Sequence, residues 1–237
     1  FSMENGVVAG LPFLEPLFSL LDRRIRVILK TRDGRSVRRG QTLVTLKGPA
    51  TSLLAGERSA LNLLMHCSGI ASLTRRYVDA VKGTGAIVLD TRKTIPGLRD
   101  VEKYAVLMGG GRNHRHGLDD QILIKPNHLA CAGLGVAQAV LMARGWSQRR
   151  TLVEIEARNV REALSAAEAG ADIILLDNFT LPRLRAAVRE IRDRYPQKPL
   201  LEASGGITLT NLREVSRTGV DRISVGALTH SAPALPM

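Results

Sequence analysis

Aromatic residues and cysteines are scarce in this chain. Its 237 residues include one Trp, three Tyr and four Phe, so a platform of aromatic side chains that stacks nucleobases is not expected. The two cysteines, Cys67 and Cys131, are too few for a disulfide framework and predict free thiols in a reducing cytoplasm. The sequence shows no apolar run near the roughly 18 residues of a membrane span and no charged, apolar leader, so we expect neither a membrane partner nor a secretion signal.

Acidic residues are also in the minority. The chain has 34 Lys and Arg against 22 Asp and Glu, a net charge of +12, and such an excess is often seen in nucleic-acid-binding proteins. Much of it lies in pairs such as Arg23-Arg24, Arg38-Arg39 and Arg75-Arg76, which are typical of solvated surfaces. We therefore expect no nucleic-acid partner, and a polyanion-binding protein remains the alternative to an enzyme.

One short stretch, residues 89–128, concentrates positive charge next to apolar runs and glycines. Arg92 and Lys93 follow an apolar run, Arg115 comes soon after a triple glycine, and Lys125 ends another apolar run. Neighbouring cations repel by about 4 kcal/mol per pair near a protein surface, so a fold gathers them where an anion binds. These four residues are predicted to line one pocket for a strongly anionic ligand.

The first part of the chain, residues 1–53, reads as a small β-rich sandwich domain. Alternating residues around Ile25–Leu29 and the run Thr42–Leu46 predict strands, and Asp33-Gly34 predicts a hairpin turn. From Ala55 to about Lys82 the spacing of apolar residues becomes helical, with Ser68-Gly69 expected to separate two helices. His66 lies on the apolar face and is interpreted as a core histidine.

Residues 54–237 continue from this helical entry into alternating strands and helices. Buried parallel strands are predicted where short apolar runs occur, at residues 86–89, 121–124, 152–155, 173–176, 200–201 and 222–225. Helices are expected to begin at Asn159, Thr180 and Thr208. The pattern predicts an α/β fold: a TIM-like α/β barrel, closed or incomplete, as the catalytic domain, with the smaller N-terminal α+β sandwich domain.

Polar residues follow each predicted strand, at the edge where barrels carry their sites. Glu156 and Asp177 follow the middle strands and could hold Mg²⁺ beside phosphate oxygens or pair with nearby cations. The last strands lead into two glycine-containing loops, Ser204-Gly205-Gly206 and Gly226-Ala227, whose N–H groups suit phosphates. The pattern predicts a Mg²⁺-assisted enzyme that acts on a phosphorylated sugar and a second anion.

His114 and His116 have the alternate spacing of a metal-binding pair on a strand. Arg112 and Arg115 interleave with them and would repel a cation. His114 is therefore expected to hydrogen-bond a carboxylate or a phosphate.

A series of motifs, in order along the chain from about Gly6 to Leu235, resembles the quinolinate phosphoribosyltransferase family. They are Glu57-Arg58-Ser59-Ala60-Leu61-Asn62, Ser68-Gly69-Ile70-Ala71, Asp90-Thr91-Arg92-Lys93-Thr94 with Pro96-Gly97, Gly109-Gly110-Gly111 with Asn113-His114-Arg115, Leu123-Ile124-Lys125 with Asn127-His128, Leu175-Leu176-Asp177-Asn178-Phe179, Glu202-Ala203-Ser204-Gly205-Gly206-Ile207 and Val225-Gly226-Ala227-Leu228-Thr229-His230. One such motif is weak, whereas this many in register are specific.

The resemblance implies transfer of phosphoribose from phosphoribosyl pyrophosphate to quinolinate with decarboxylation, a step of de novo NAD synthesis that yields nicotinate mononucleotide, CO₂ and pyrophosphate. A related enzyme of the same fold with another anionic acceptor, such as nicotinate, is the near alternative. The expected partners are the two substrates and a second copy of the chain, in a homodimer or a higher homo-oligomer.

The resemblance also implies roles for individual residues. The quinolinate carboxylates would be held by Arg92, His114, Arg115 and Lys125, with Arg58 reaching in from the partner subunit. The phosphoribosyl side would be bound by Lys93, Ser204, Gly205, Gly206, Gly226, Ala227 and His230. Glu156 and Asp177 would surround Mg²⁺ and the ribose, and with Lys125 they are the expected catalytic residues.

The chain departs from the family pattern in two ways. Pro126 stands where an acidic residue is usual, which removes a charge and a backbone donor. The family's helical segment upstream of Gly6 is missing, and relatives continue beyond Pro233, so we expect truncated ends that affect dimer packing more than chemistry.

Overall fold

A computed structural model of the chain describes residues 1–147 and 151–237. The strands are β1 (Gly6–Val7), β2 (Arg26–Leu29), β3 (Ser36–Val37), β4 (Val44–Lys47), β5 (Ile87–Leu89), β6 (Ile122–Ile124), β7 (Val153–Ala157), β8 (Ile173–Asp177), β9 (Leu200–Ser204) and β10 (Arg222–Ser224). The helices are α1 (Leu14–Leu21), α2 (Ala50–Val81), α3 (Arg99–Met108), α4 (Pro126–Ala132), α5 (Val136–Trp146), α6 (Val160–Glu168), α7 (Leu181–Arg194), α8 (Leu212–Ser216) and α9 (Ala227–His230).

Residue contacts divide the chain into two compact units. Unit 1 comprises Phe1–Val78, Lys93–Asn113 and Gly226–Met237, and unit 2 comprises Asp79–Arg92 and His114–Val225. The predicted domain boundary between residues 53 and 54 stays a prediction.

Unit 1 contains two small antiparallel sheets and a helical layer. β1 pairs with β3 and β2 pairs with β4, and a buried cluster that includes Leu14, Phe18 and Leu64 packs helices α1 and α2 against this part of the chain. The strands near residues 25–29 and 42–46 are confirmed. The hairpin at Asp33-Gly34 is wrong, because β2 and β3 each pair with a different strand. Instead, the Asp33 carboxylate accepts the Gly10 N–H at 2.7 Å.

Helix α2 continues without interruption across Ser68-Gly69, where a break was expected. The Ser68 hydroxyl accepts the N–H of Ala9 at 3.0 Å. A Cβ on Gly69 would lie 2.1 Å from the carbonyl oxygen of Pro233. These two small residues therefore allow other segments of unit 1 to approach the helix, and they do not end it.

Unit 2 is built on a six-stranded parallel sheet with the order β5-β10-β9-β8-β7-β6. The strands are apolar runs because both faces are covered, and Ile173, Ile174 and Leu176 in β8 are at most 1% exposed. This is the strand order of an α/β barrel, but among the described residues β5 and β6 are not paired with each other. The incomplete form of the predicted barrel is therefore the one observed.

Of the three helix starts predicted in unit 2, two are confirmed and one is wrong. The Asn159 side chain caps α6 by accepting the Glu162 N–H at 2.9 Å, and α7 begins directly after Thr180. The helix expected from Thr208 begins only at Leu212. The Asn211 side chain accepts the Thr208 N–H and donates to the Gly206 carbonyl, which holds this segment in a turn and delays the helix.

Among the described residues, no single helix is both long and apolar enough to cross a membrane. Helices α4 and α5, bent by 90° at their junction, meet the length and composition criteria only as a pair.

Candidate active site

The strands of unit 2 bring several predicted site residues to one edge of the sheet. Lys125 directly follows β6, Glu156 lies near the end of β7, and Asp177 and Ser204 end β8 and β9. Asp177 and Ser204 are register partners. Because the strands are parallel, their carboxyl ends meet at the same edge.

Two of the predicted cations are neighbours in unit 2. Burial and the nearby charge of Arg92 both lower the pKa of Arg115. The Arg115 guanidinium donates to the carbonyl oxygen of Gln121 at 3.3 Å, which fixes it beside the start of β6. The structure thus brings two like charges together, as expected for a site that receives an anion.

The carboxylates at the ends of β7 and β8 are also close together. Burial, followed by the charge of Asp177, raises the pKa of Glu156, and the charge of Lys125 opposes this rise. Lys125, Glu156 and Asp177 are therefore electrostatic neighbours. Two adjacent carboxylates can bind a hard divalent ion that also binds substrate phosphates.

His114 lies between two carboxylates in the interior of unit 2. Its Nε2 atom is 3.2 Å from Glu154 Oε2 and 3.3 Å from Glu202 Oε1, and its side chain is 8% exposed. Burial alone would lower the pKa of His114, but the hydrogen bonds and charges of the two carboxylates outweigh it and raise the pKa to about 9. The sequence favoured a hydrogen bond from His114 to a carboxylate or a phosphate over a metal-binding pair with His116. In the structure the partners of His114 are carboxylates.

Glu154 and Glu202 belong to the polar residues at the strand ends, but the sequence assigned them no individual role, and both are fully buried. The sequence signal is a glutamate within an apolar strand, which is costly unless the charge is paired. Arg222 Nε lies 3.2 Å from Glu202 Oε2, and the Gln121 amide donates to Glu154.

By distance alone, the donor atoms of His114, Glu154 and Glu202 could hold a metal ion, since they lie within 4.8 Å of one another. The imidazolium form of His114 and the Arg222 guanidinium, however, balance the two carboxylates. This balance favours a proton over a metal ion.

The glycines after β9 permit a close approach of backbone segments. Gly205 has a φ of +89°, and a Cβ there would lie 2.1 Å from the Asn178 Oδ1 atom. The Asn178 N–H donates to the Ser204 carbonyl at 2.9 Å, which joins this turn to the end of β8. Gly206 has a φ of +61° and would meet nothing within 4 Å. The loop can therefore present its backbone directly to a ligand.

Unit 1 contains a second group of predicted residues. A Cβ on Gly226 would lie 3.0 Å from His230 Nε2 and 3.3 Å from Lys93 Cδ, so both side chains lie over this glycine. Gly226 caps the short helix α9, which begins at Ala227. Arg58 lies on α2 and is exposed.

Pro126, the departure from the family pattern, is the first residue of α4. Proline suits this position because the first N–H groups of a helix have no intrahelical partner. The Lys125 N–H still finds an acceptor in His128 Nδ1 at 3.1 Å. The loss of a backbone donor at Pro126 therefore leaves the turn after β6 intact.

Comparison with known proteins agrees with this arrangement. The family model described as quinolinate phosphoribosyl transferase, N-terminal domain, matches residues 1–68, and the C-terminal domain model of the same family matches residues 70–237. A probable nicotinate-nucleotide pyrophosphorylase [carboxylating] from Synechocystis sp. is 42% identical over 234 residues, which cover 99% of this chain and 79% of the relative. The human nicotinate-nucleotide pyrophosphorylase [carboxylating] is 43% identical over 232 residues, covering 97% and 77% respectively.

Solved structures give the same result. The crystal structure of NadC from Streptococcus pyogenes matches with a TM-score of 0.92 and 41% identity, covering 99% of this chain and 81% of that one. The nicotinate-nucleotide pyrophosphorylase from Francisella tularensis matches with a TM-score of 0.93 and 38% identity, covering 99% and 82%. Since both domain models match in order along nearly the whole chain, this protein belongs to the quinolinate phosphoribosyl transferase family.

Proposed function

We propose that the protein transfers phosphoribose from phosphoribosyl pyrophosphate to quinolinate and decarboxylates the product, giving nicotinate mononucleotide, CO₂ and pyrophosphate. The observation that carries this proposal, in a chain of this family, is that unit 2 places Arg92 beside Arg115 and places Lys125 and Asp177 beside Glu156. The names of the relatives support the same reaction.

The cations of unit 2 are proposed to hold the acceptor. Arg92, Arg115 and Lys125 offer positive charge to the two carboxylates of quinolinate, and His114, already paired with Glu154 and Glu202, is proposed to complete the pocket beside them. A guanidinium binds a carboxylate through two parallel N–H groups, which also fixes the plane of the ring. Holding the ring nitrogen in line with the anomeric carbon makes the attack effectively intramolecular.

The decarboxylation needs no separate electron sink. When the ring nitrogen attacks the anomeric carbon, the bond to pyrophosphate breaks and the nitrogen becomes cationic. The adjacent carboxylate then leaves as CO₂, and the electron pair that remains on the ring carbon is stabilised by the neighbouring positive nitrogen before it takes up a proton. The pocket cations act by orienting the carboxylate that leaves and the one that stays.

Glu156 and Asp177 are proposed to serve the sugar. Negative charge at the ends of β7 and β8 favours the positive charge that develops at the anomeric carbon as pyrophosphate departs. The same pair fits Mg²⁺, since two adjacent carboxylates accept a hard cation that also binds substrate phosphates. When bound there, Mg²⁺ would neutralise charge on the departing pyrophosphate.

The remaining predicted residues are proposed to bind phosphoryl oxygens. Ser204, Gly205 and Gly206 form one such loop in unit 2, where a side chain on Gly205 would collide with Asn178. Unit 1 contains a second group of predicted residues, which comprises Lys93, Gly226, Ala227 and His230. We further propose a homodimer in which the exposed Arg58 reaches the site of the partner, and a cytoplasmic location.

The direct test is release of CO₂ and pyrophosphate from quinolinate and phosphoribosyl pyrophosphate, with and without Mg²⁺. We expect turnover by the wild type only with Mg²⁺, and a loss of at least about 100-fold in kcat/KM in R115A or K125A, because each variant removes a charged contact. The matched control is R112A, whose side chain is exposed and has no assigned role.

Wild-type turnover in R115A or K125A would contradict the proposed pocket. Steeply salt-dependent binding of DNA or RNA, with no release of pyrophosphate, would favour the polyanion-binding alternative. Nicotinate offered in place of quinolinate should turn over poorly, since it has a single carboxylate.

A further inference from the structure

The chain around Lys93 is hydrogen-bonded at three successive residues, through the main chain at Lys93 and Ile95 and through the side chain at Thr94. The hydroxyl of Thr229 donates to the carbonyl oxygen of Lys93 at 2.7 Å. Arg99 Nε donates to the hydroxyl oxygen of Thr94 at 3.2 Å. The N–H of Ile95 donates to Glu102 Oε2 at 3.2 Å. We call residues 93–95 the Lys93 segment.

Thr229 ties the Lys93 segment to the helix that follows Gly226. Thr229 is 2% exposed, and its hydroxyl oxygen is also 3.2 Å from the Gly226 carbonyl oxygen. A hydroxyl has one proton to donate, and the shorter contact identifies the Lys93 carbonyl as the main acceptor. The contact fixes the Lys93 main chain beside the glycine over which its side chain lies.

Glu102 holds the other end of the segment from α3. It is fully buried, and its second oxygen, Oε1, lies 2.9 Å from His66 Nε2 on helix α2. A buried carboxylate is unfavourable unless both oxygens are bonded. Here one oxygen is used on the Lys93 segment and the other on the long helix that also carries Arg58. His66, predicted as a core histidine, is half-buried and has Glu102 as a specific partner.

We propose that Thr229 and Glu102 are positioning residues that clamp the Lys93 segment, so that the Lys93 ammonium is presented to the phosphoribosyl substrate from a fixed main chain. This rests on the proposed function, in which Lys93 binds that substrate. The lysine side chain carries a compact charge at the end of a flexible four-carbon chain. If the main chain of Lys93 is already fixed, substrate binding has less conformational freedom to remove. Neither residue needs to touch the substrate.

The test uses T229V, which keeps the side-chain shape but removes the hydroxyl, and T229S, which keeps the hydroxyl. Binding of phosphoribosyl pyrophosphate is measured by calorimetry on the full chain. We expect the dissociation constant to rise about tenfold in T229V and to stay near the wild-type value in T229S, as for loss and retention of one hydrogen bond. The dissociation constant of quinolinate should change less than about twofold, because the lost bond acts through Lys93.

A double-mutant cycle with K93A separates positioning from a merely structural role. If Thr229 acts through Lys93, adding T229V to K93A should weaken binding by less than about twofold. An equal loss in both backgrounds, unchanged binding in T229V, or wild-type binding in K93A would overturn the proposal. If T229V does not fold, E102Q replaces it in the same cycle. E102Q removes the charge on the side chain that accepts the Ile95 N–H. It should weaken the binding of phosphoribosyl pyrophosphate about threefold when Lys93 is present and not in the K93A background.

The proposed function can fail independently. A wild-type protein that binds phosphoribosyl pyrophosphate but releases no CO₂ or pyrophosphate with quinolinate contradicts the reaction. The binding cycle still decides whether the clamp exists, because it requires no turnover.

Discussion

The imidazole of His114 has two fully buried carboxylates as partners, and this determines its charge. Its pKa rises to about 9 from an ordinary value of 6.5, so the folded protein binds this proton more tightly than the unfolded chain. The stabilisation is complete below pH 6.5 and is lost as the pH rises through 9. Burial raises the pKa of the Glu154 carboxyl, and a raised carboxyl pKa likewise makes stability fall with rising pH.

We predict that the free energy of unfolding decreases by up to about 3 kcal/mol between pH 6.5 and pH 9.5 because of this group. Denaturant unfolding at several pH values measures the loss, and an NMR titration of the His114 ring should give an apparent pKa near 9. The control is the H114Q variant, in which the slope over this pH range should flatten. An apparent pKa below 7 would contradict the paired arrangement.

Individual helices of this chain show how the same residue type can have opposite effects in different surroundings. Gly69 in α2 and Gly145 in α5 are both helical glycines, and alanine is intrinsically preferred at such positions by about 1 kcal/mol. A Cβ on Gly69 would lie 2.1 Å from the Pro233 carbonyl oxygen, whereas one on Gly145 would meet nothing within 4 Å.

We therefore predict that G69A destabilises the protein by about 1–3 kcal/mol, since the helix and the segment at Pro233 must separate. The matched variant G145A should stabilise it by about 0.5–1 kcal/mol. Thermal or denaturant unfolding of both variants measures the difference. Equal effects would mean that Pro233 does not pack on α2.

At the scale of the whole molecule, the proposed dimer makes a prediction about mixed subunits. If Arg58 completes the site of its partner, R58A and K125A are each inactive as homodimers but complement one another. In a mixed dimer one site has lost both residues, while the other has its own Lys125 and an intact Arg58 from the partner. Co-expression in equal amounts should therefore restore about a quarter of wild-type activity.

The control for this prediction is co-expression of R115A and K125A. If Arg115 and Lys125 act in the site of their own subunit, each site of a mixed dimer lacks one of them, and no activity should return. No recovery with R58A and K125A, in a preparation shown to contain mixed dimers, would place Arg58 outside the neighbouring site.

Elements with a strong local signal were predictable from the sequence. The apolar runs of β5 to β10 and the Asn159 cap of α6 are local features, because a buried parallel strand needs apolar side chains on both faces and a helix start needs a side-chain acceptor. The cations, the acidic residues at the strand ends and the glycine loops were also predictable. They stand at fixed places after apolar runs, and the family motifs contain them. The chain's membership of its family could also be predicted, because the family motifs occur in order along the sequence.

Only the tertiary structure decided which residues pair across long separations. Four contacts join segments that are far apart in the chain. They are the pairing of the strands on either side of Asp33-Gly34, the packing of Pro233 on Gly69, the carboxylates around His114 and the hydrogen bond from Thr229 to Lys93. A local pattern predicts that a residue is buried, lies in a turn or carries a charge. Which residue it contacts depends on how distant segments pack in the folded chain. Sequence determined the elements and the chemistry available to them, and the fold determined which of those groups meet.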